Sequence, residues 1–231
     1  MGKRVLVITK VNLINTKVSY YITGITALFM LIQTLVIILL VPISDNVDLS
    51  IGNFLFTLPI LAAIFIPARN FRRIVNLGAK RNDFLLGSLL NYIIFAAFIS
   101  LANLLTHYTI DFLLVERGHH SSILNLIWVF GWTENGAIIA FIQQFAFLFL
   151  VSSFIHTLTS IQDKWYGWVT DIVLIAIISV FTPIAPLRSA LAWFFNLIIT
   201  HSNSSLQIAA CILLSLALFA LNKPIYSRKV I

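Results

Sequence analysis

The sequence has few charged residues, and this shortage sets the first limit on what the protein can be. Asp, Glu, Lys and Arg make up 10% of its 231 residues, whereas typical soluble proteins contain roughly 25%. Hydrophobic residues make up 60% of the chain, and the mean hydropathy is +0.99. This composition excludes an ordinary soluble domain.

Motifs for catalysis and cofactor binding are also missing. The single cysteine, Cys211, excludes an intrachain disulfide framework. The chain has no GxxxxGK(S/T) phosphate loop, so it cannot bind and hydrolyse ATP by that route. It has no HExxH pair, and its five histidines are scattered without a neighbouring cysteine. We therefore predict a chain that is not an enzyme and that holds no metal or cofactor of its own.

What the sequence does contain is a series of long apolar runs, each near the roughly 20 residues that a helix needs to cross a membrane. No run alternates polar and apolar residues as the strands of a transmembrane barrel do. We therefore predict an all-α, polytopic membrane protein with six transmembrane helices. The predicted spans cover residues 18–41, 49–68, 84–105, 136–154, 165–184 and 206–221.

Three shorter segments complete this predicted organisation. Residues 1–17 are expected to form an interfacial helix before the single transmembrane domain of residues 18–231, because their lysines recur every seven residues, nearly in line on a helix. The stretches 123–132 and 187–199 are apolar but too short or too interrupted to count as spans. Interfacial and re-entrant placements both remain open for these two stretches.

Positive charges fall on one side of this six-span arrangement. Thirteen of the 15 Lys and Arg residues lie in the N-terminal segment, in the loops after spans two and four, and in the C-terminal tail. The other two are Arg117 and Arg188, and the loops on that side instead carry Asp45, Asp48, Asp111 and Glu116. Since Lys and Arg accumulate in cytoplasmic loops, both termini are predicted in the cytoplasm. The net charge of +7 then needs no nucleic-acid partner.

The loop between spans two and three is the most informative segment, and we call its residues 69–83 the basic hook. The sequence from residue 68 to residue 95 reads ARNFRRIVNLGAKRNDFLLGSLLNYIIF. Apolar residues recur at helical spacing among the cations, which predicts a short amphipathic helix at the cytoplasmic surface. Gly78 is expected to end this helix in a left-handed conformation. Asn82 or Asp83 is expected to cap the helix that follows.

This segment resembles the coupling loop of the ABC-2 type permeases, which are the membrane subunits of one group of ABC exporters. The likeness lies in a basic amphipathic segment after the second of six spans, a Gly-Ala-Lys-Arg turn, and a Phe-Leu-Leu-Gly-Ser-Leu-Leu start of span three. A short cationic N-terminal helix and a broken hairpin at residues 187–203 fit the same layout. In its small size the chain is similar to the permeases of bacterial peptide exporters and lantibiotic-immunity transporters.

The resemblance implies that the hook docks into the ATPase subunit of an exporter in a bacterial cell membrane. Two copies of that ATPase would bind ATP and Mg, and a second copy of this chain or a related permease would complete the transporter. The implied coupling residues are Phe71, Arg72, Arg73, Ile74, Leu77, Gly78, Lys80 and Arg81. A solvated loop held at lipid phosphate explains the charges equally well, but it explains the apolar residues less well.

Polar residues inside the spans are candidates for a translocation path, with hydrogen bonding between helices as their alternative role. They are Ser88, Asn91, Asn103, Gln143 and Gln144. An apolar interior suits an amphipathic or hydrophobic substrate, such as a peptide, a lipid or a drug. A different class of function is a stand-alone membrane protein, either a small secondary transporter or a bacteriocin-immunity factor that works without ATP.

Overall fold

The computed structural model describes residues 2–40, 44–116 and 120–227, and nearly all of them are helical. The helices are α1 (Gly2–Asn15), α2 (Lys17–Leu40), α3 (Ile51–Asn76), α4 (Arg81–Glu116), α5 (Leu126–Val129), α6 (Ala137–Ile161), α7 (Trp165–Phe181), α8 (Ala185–Thr200) and α9 (Ser204–Ser227). The described chain also has two short strands, β1 (Ser44–Leu49) and β2 (His120–Leu124), and a 3-10 turn at Trp132–Asn135. The predicted helical class is confirmed, with a small sheet added to it.

Five of the described helices are long and apolar enough to cross a membrane, namely α2, α3, α4, α6 and α9. A sixth crossing is obtained if α7 and α8, which meet at a bend of 116°, are counted as one broken span. Pro183 and Pro186 flank this bend, and proline ends or kinks a helix because it lacks an N–H donor. The predicted span five therefore stops at Phe181, and the stretch 187–199 belongs to the second arm of the bent pair.

Span two is longer than predicted. The residues expected to form a separate surface helix after it instead form the last part of α3. Helix α3 is α-helical over Ile51–Phe54 and Thr57–Phe65, π-helical over Ile66–Asn70, and α-helical again over Phe71–Asn76. Pro67 has no N–H to donate to the preceding turn, and the helix passes it in the π-helical turn. The proposed coupling helix is thus a continuation of span two and not a separate element.

Other spans also extend beyond their predicted ends. Helix α4 has 36 residues and passes through a π-helical turn at His107–Asp111, where the sequence predicted a loop. At 1.5 Å per residue it is roughly 54 Å long, well beyond the roughly 30 Å of a hydrocarbon core. Its ends must therefore project past any membrane that it crosses.

Helix α6 lies at the centre of the bundle and packs against α9, α4 and α3. The largest cluster of buried side chains joins these four helices, and it includes Phe71, Phe84, Tyr92, Phe149 and Phe219. Helices α2 and α7 lie at the periphery, and α7 buries only Gly167. They expose large apolar side chains: Tyr21, Ile25, Phe29, Trp168, Ile172 and Ile175.

The N-terminal helix α1 packs on α4. It buries Val5, Ile8, Thr9 and Asn12, which lie on one helical face by their spacing of three and four residues. The contact is close because Gly87 of α4 has no side chain, and a Cβ there would lie 2.7 Å from Cγ2 of Ile8. The predicted helix is therefore confirmed as a helix, and it is docked on the bundle along a defined face.

The two strands form a small parallel sheet that the sequence did not predict. Val47 pairs with Ser122, Asp48 with Ile123, and Leu49 with Leu124. The stretch 123–132 then continues into the single-turn helix α5. This segment is anchored by Trp132, which is buried and donates from Nε1 to the carbonyl of Ile199 at 2.7 Å.

Candidate interaction site at the basic end

Segments that are far apart in the sequence and rich in Lys and Arg meet at one end of the bundle, which we call the basic end. The start of α1 and the hook line one groove. Arg81 donates to the backbone carbonyl of Tyr226, near the end of α9, at 2.9 Å. Arg72 pairs with Asp163, between α6 and α7, at 3.7 Å. Three further cations of the sequence, at positions 117, 228 and 229, lie outside the described residues.

The turn of the hook has the conformation that its sequence predicts. Gly78 has φ of +87°, in the left-handed region. Its N–H donates to the carbonyl of Val75 at 2.9 Å, and the N–H of Ala79 donates to the carbonyl of Ile74 at 3.3 Å. This pair of bonds satisfies two carbonyls at the end of α3, as in a Schellman motif. The helix-ending role of Gly78 is confirmed.

The start of α4 differs from its prediction. Lys80 is the N-cap residue, and no side chain caps the first turn. Asn82 and Asp83 lie inside the helix, so the prediction that one of them caps it is wrong. Asp83 is 4% exposed, and its carboxylate makes no hydrogen bond or ion pair with the residues that the structure describes. The first turn therefore carries a buried carboxylate in place of a cap.

Two of the predicted coupling residues point into the protein. Phe71 is 0% exposed, and its ring lies 5.2 Å from that of Phe84 and 4.6 Å from that of Tyr226, centroid to centroid. Ile74 is buried in the same cluster. These residues were expected to anchor a partner. In the structure they fix the hook to the core of its own chain, because the end of α3 lies against α4 and α9.

The remaining coupling residues form the outer surface of the hook. Leu77 is 79% exposed. Arg73 and Lys80 are exposed, and neither makes an ion pair with any described residue. Arg72 and Arg81 already have partners within the chain. The surface that the hook offers to another molecule is therefore smaller than predicted, with one exposed apolar side chain and two exposed cations.

An open groove separates the hook from α1 and has a volume of about 370 Å³. Its α1 wall contains Lys3, Arg4 and Val7, and its other wall contains Leu77 and Asp83. Most of the remaining lining is apolar, from Ile8, Val11, Ile74 and Ala79. The volume is within the roughly 300–1,000 Å³ of small-molecule sites. The groove is an apolar trough with opposite charges at different places on its walls.

Beneath this surface lies a hydrogen-bonded cluster that no local sequence pattern predicts, because its residues come from three helices. The hydroxyl of Tyr92 is 2.7 Å from Nδ1 of His156, and that of Tyr226 is 3.2 Å from Nε2. Ser160 lies 2.7 Å from the Tyr226 hydroxyl and donates to the His156 carbonyl at 2.7 Å. His156, one of the scattered histidines of the sequence, thus joins α4, α6 and α9.

The five predicted path residues are all buried in the described structure, and most of them are hydrogen-bonded within the protein. Asn103 exchanges hydrogen bonds with Asn125, and Gln143 donates to Gln207. Ser88 and Asn91 donate to carbonyls of their own helix, at Phe84 and Gly87. Gln144 is buried, and neither polar atom of its side chain has a hydrogen-bond partner among the described residues. Bonding within or between helices therefore accounts for four of the five.

The far end of the bundle holds a second polar cluster. The carboxylate of Asp111 accepts from Ser50 at 2.8 and 3.0 Å and from Asn125 at 2.8 Å. His107 lies 3.7 Å from the same carboxylate. Asn103 completes the cluster through Asn125. Asp111 was predicted in a loop, but it lies in α4 and is 4% exposed.

No group of three or more His, Cys, Asp or Glu side chains that could hold a metal occurs in the part of the chain that the structure describes. No family model, curated protein or solved structure matches the sequence.

Proposed function

We propose that the chain is the membrane-spanning permease subunit of an ATP-driven ABC exporter in a bacterial cell membrane, with both termini in the cytoplasm. The observation that carries this proposal is the outer surface of the hook, where Leu77 is exposed together with the cations Arg73 and Lys80, which precede and follow it in the sequence. This surface lies at the end of the bundle that gathers the basic segments. Cations accumulate on the cytoplasmic side of membrane proteins, which is where an ATPase subunit would dock.

The chemistry of this surface fits a protein contact. Burying a leucine side chain contributes roughly 1.5–3 kcal/mol, and interfaces commonly combine an apolar anchor with a polar rim. In this proposal Leu77 enters an apolar pocket of the ATPase, while Arg73 and Lys80 meet acidic residues around it. Two ATPase copies would supply ATP and Mg, and closure of the pair would push on the hook.

The core contacts of the hook suit such a role. Since Phe71 and Ile74 pack against α4 and α9, a force on the hook reaches these helices directly. The exposed apolar faces of α2 and α7 suit membrane lipids or a second permease, either another copy of this chain or a related one. The proposed substrate class is amphipathic or hydrophobic, comprising peptides, lipids and drugs.

One observation favours a second candidate, a stand-alone membrane protein such as a small secondary transporter or a bacteriocin-immunity factor. Much of the hook is engaged inside the chain, since Phe71 and Ile74 are buried and Arg72 and Arg81 bind other segments. A hook of this kind can simply hold the bundle together. Under this candidate no ATPase binds to the basic end.

The test is co-purification from native membranes with an ATPase that carries a phosphate loop, identified by mass spectrometry. We expect Leu77→Asp to reduce the recovered ATPase at least about tenfold, since a lost anchor of 1.4 kcal/mol or more has this effect. Leu77→Met should retain the complex. Val129→Asp is the matched control, because Val129 is also exposed but lies in α5, away from the basic end.

Insertion and monodispersity of each variant would be checked in the same membranes. An ATPase that co-purifies equally with Leu77→Asp would remove the docking role of the hook. Wild-type chain that purifies without any such ATPase would favour the stand-alone protein.

A further inference from the structure

We propose that the groove between α1 and the hook binds the headgroup of a phospholipid that carries a primary ammonium group, such as phosphatidylethanolamine. This site does not depend on an ATPase partner. In it, the ammonium group meets Asp83, the phosphate meets Lys3 and Arg4, and an acyl chain lies along the apolar lining.

The first argument is the state of Asp83. Asp83 is 4% exposed, and its carboxylate has no hydrogen bond or ion pair with any residue in the described ranges. A carboxylate in such a place is costly unless a cation or donors compensate it. Asp83 lines the groove, so a ligand in the groove can supply the missing donor.

The second argument is charge complementarity. Lys3 and Arg4 line the same groove, are exposed, and form no ion pair with any described residue, Asp83 included. The groove thus has a negative group and two positive groups that do not reach one another. A headgroup with an ammonium at one end and a phosphate at the other matches both, through charge-assisted hydrogen bonds. An anionic headgroup without an amine would leave Asp83 uncompensated.

The third argument is the apolar surface around these charges. Val7 and Val11 form part of the lining, and Leu6 on the neighbouring face of α1 is 63% exposed. A helix with exposed apolar residues and cations at one end is suited to the membrane interface. Since α1 leads directly into α2, which is long enough to cross a membrane, the groove would lie at headgroup depth. These features select a lipid over a soluble ligand.

The experiment measures lipid binding to the purified full chain in detergent by native mass spectrometry. The probes share the same acyl chains and differ in headgroup: phosphatidylethanolamine, its N-methyl and N,N-dimethyl forms, phosphatidylcholine and phosphatidylglycerol. Stepwise methylation removes N–H donors but keeps the positive charge. We expect affinity to fall along the methylation series, with phosphatidylcholine about tenfold weaker than phosphatidylethanolamine, as the loss of hydrogen bonds to a charged group predicts.

Variants assign the two ends of the headgroup. Asp83→Asn should abolish the preference for phosphatidylethanolamine over phosphatidylcholine. Lys3→Gln combined with Arg4→Gln should weaken both lipids equally, because they share the phosphate. The matched controls are Asp163→Asn, a carboxylate of the basic end outside this groove, and Lys10→Gln, an exposed cation of α1 that does not line it. Both controls should retain the preference.

Three results would overturn the proposal. They are equal binding of phosphatidylethanolamine and phosphatidylcholine by the wild type, tighter binding of phosphatidylglycerol, and a preference that survives Asp83→Asn. A thermal unfolding midpoint for each variant shows that the groove is still folded when its binding is compared. The ATPase co-purification described above is a separate measurement, so either proposal can fail alone.

Discussion

Helix α4 carries one buried carboxylate near each end, and the two have opposite surroundings. Asp83 and Asp111 are equally buried, at 4% exposed, and lie roughly 42 Å apart along the helix axis. At the far end, Ser50 and Asn125 donate hydrogen bonds to Asp111. At the basic end, Asp83 has no hydrogen-bond or ion-pair partner among the described residues and faces an open groove.

This difference separates a structural role from a binding role. Burial removes water from a carboxylate, and the free-energy cost must be offset by donors or a cation. At the far end the protein supplies donors to the carboxylate, and these hydrogen bonds join the starts of α3 and α5 to the end of α4. At the basic end the offset has to come from outside the chain. The same residue type at the same burial thus stabilises the fold in one place and offers a site in the other.

The largest expected effect comes from making the same substitution at both carboxylates. Asp111→Ala removes the acceptor of the Ser50 hydroxyl and one acceptor of Asn125, and a buried donor left unsatisfied costs roughly 1–3 kcal/mol. In a chain of this size each kcal/mol lowers the unfolding midpoint by about 2–4 °C. Asp83→Ala removes an uncompensated charge, so in lipid-free detergent its midpoint should be unchanged or higher. Thermal unfolding of the two variants beside the wild type measures the difference.

Ser50→Ala is a second variant at the far end. It removes one donor to the carboxylate, which keeps Asn125, and it also removes the N-cap acceptor of the Gly52 N–H at the start of α3. Its midpoint should therefore lie below that of the wild type. Equal destabilisation by Asp83→Ala and Asp111→Ala would contradict the comparison, since it would mean that the protein also compensates the Asp83 carboxylate.

Of the polar residues at the far end, the sequence singled out Asn103 as a path candidate and Asp111 as a loop residue, but it did not indicate Ser50, Asn125 or the assembly of the four. The distances from Ser50 to Asn103, Asp111 and Asn125 along the chain are too long for any local pattern to connect them. The parallel pairing of β1 and β2 brings these segments together. The strands have only six and five residues, too few to show a clear alternation of polar and apolar residues. Hydropathy located the apolar helices, because an apolar run can be recognised from neighbouring residues alone. It ended α4 too early, because a polar residue that is hydrogen-bonded inside the protein looks like a loop residue in the sequence.

The hook shows the same limit in a different form. Its turn was predictable, because a left-handed glycine after an amphipathic stretch is a local signal. The burial of Phe71 was not, because apolar residues at helical spacing look the same whether they face a partner or their own core. In the structure α3 continues through the π-helical turn, and Phe71 packs against Phe84 of α4 and Tyr226 of α9. The groove depends on where α1 docks, and this depends on the missing side chain of Gly87, which has no signature in a single sequence.

A second effect distinguishes the tight packing of the far end from the looser contact at the basic end. A Cβ at Gly52 would overlap the amide of Asn103, which is held by Asn125, so Gly52→Ala should destabilise the chain by roughly 1–3 kcal/mol through overpacking. At Gly87 the new Cβ would lie 2.7 Å from Cγ2 of Ile8, a methyl on the branched β-carbon beside the backbone of α1, so rotation of the side chain does not relieve the clash. Gly87→Ala should still cost less than Gly52→Ala, because α1 packs chiefly on α4 and can shift away from it as a unit. Unfolding midpoints in one detergent give both values.

The control for this pair is Gly24→Ala, at a helical glycine whose Cβ would meet nothing within 4 Å. Its midpoint should be unchanged or slightly raised, since alanine is favoured over glycine in helices by about 1 kcal/mol. If Gly87→Ala proved the more damaging of the two substitutions, α1 would be the more rigid contact, and the groove beside it would be less adaptable than proposed.

The smallest effect concerns the hydrogen-bonded cluster of Tyr92, His156, Ser160 and Tyr226 beneath the groove. The proton of the Ser160 hydroxyl goes to the His156 carbonyl, so the Tyr226 hydroxyl donates to Ser160 and accepts from Nε2–H of His156. Nδ1 then accepts from Tyr92. Tyr226→Phe keeps the ring contacts with Phe71 and Phe84 but removes these bonds, which should cost about 0.5–1.5 kcal/mol.

This prediction tests whether the buried cluster below the groove contributes to stability, or whether the whole basic end is weakly held. Tyr108→Phe is the matched control, since Tyr108 is 48% exposed and its hydroxyl makes no hydrogen bond with any described residue. A lower unfolding midpoint for Tyr226→Phe than for Tyr108→Phe would mean that only the groove surface is incomplete. Equal midpoints would mean that the basic end is weakly held throughout, because a buried tyrosine hydroxyl between a serine and a histidine would then contribute nothing measurable. In that case the contrast between the two carboxylates would reflect general looseness at one end of α4 and not a site shaped for a ligand.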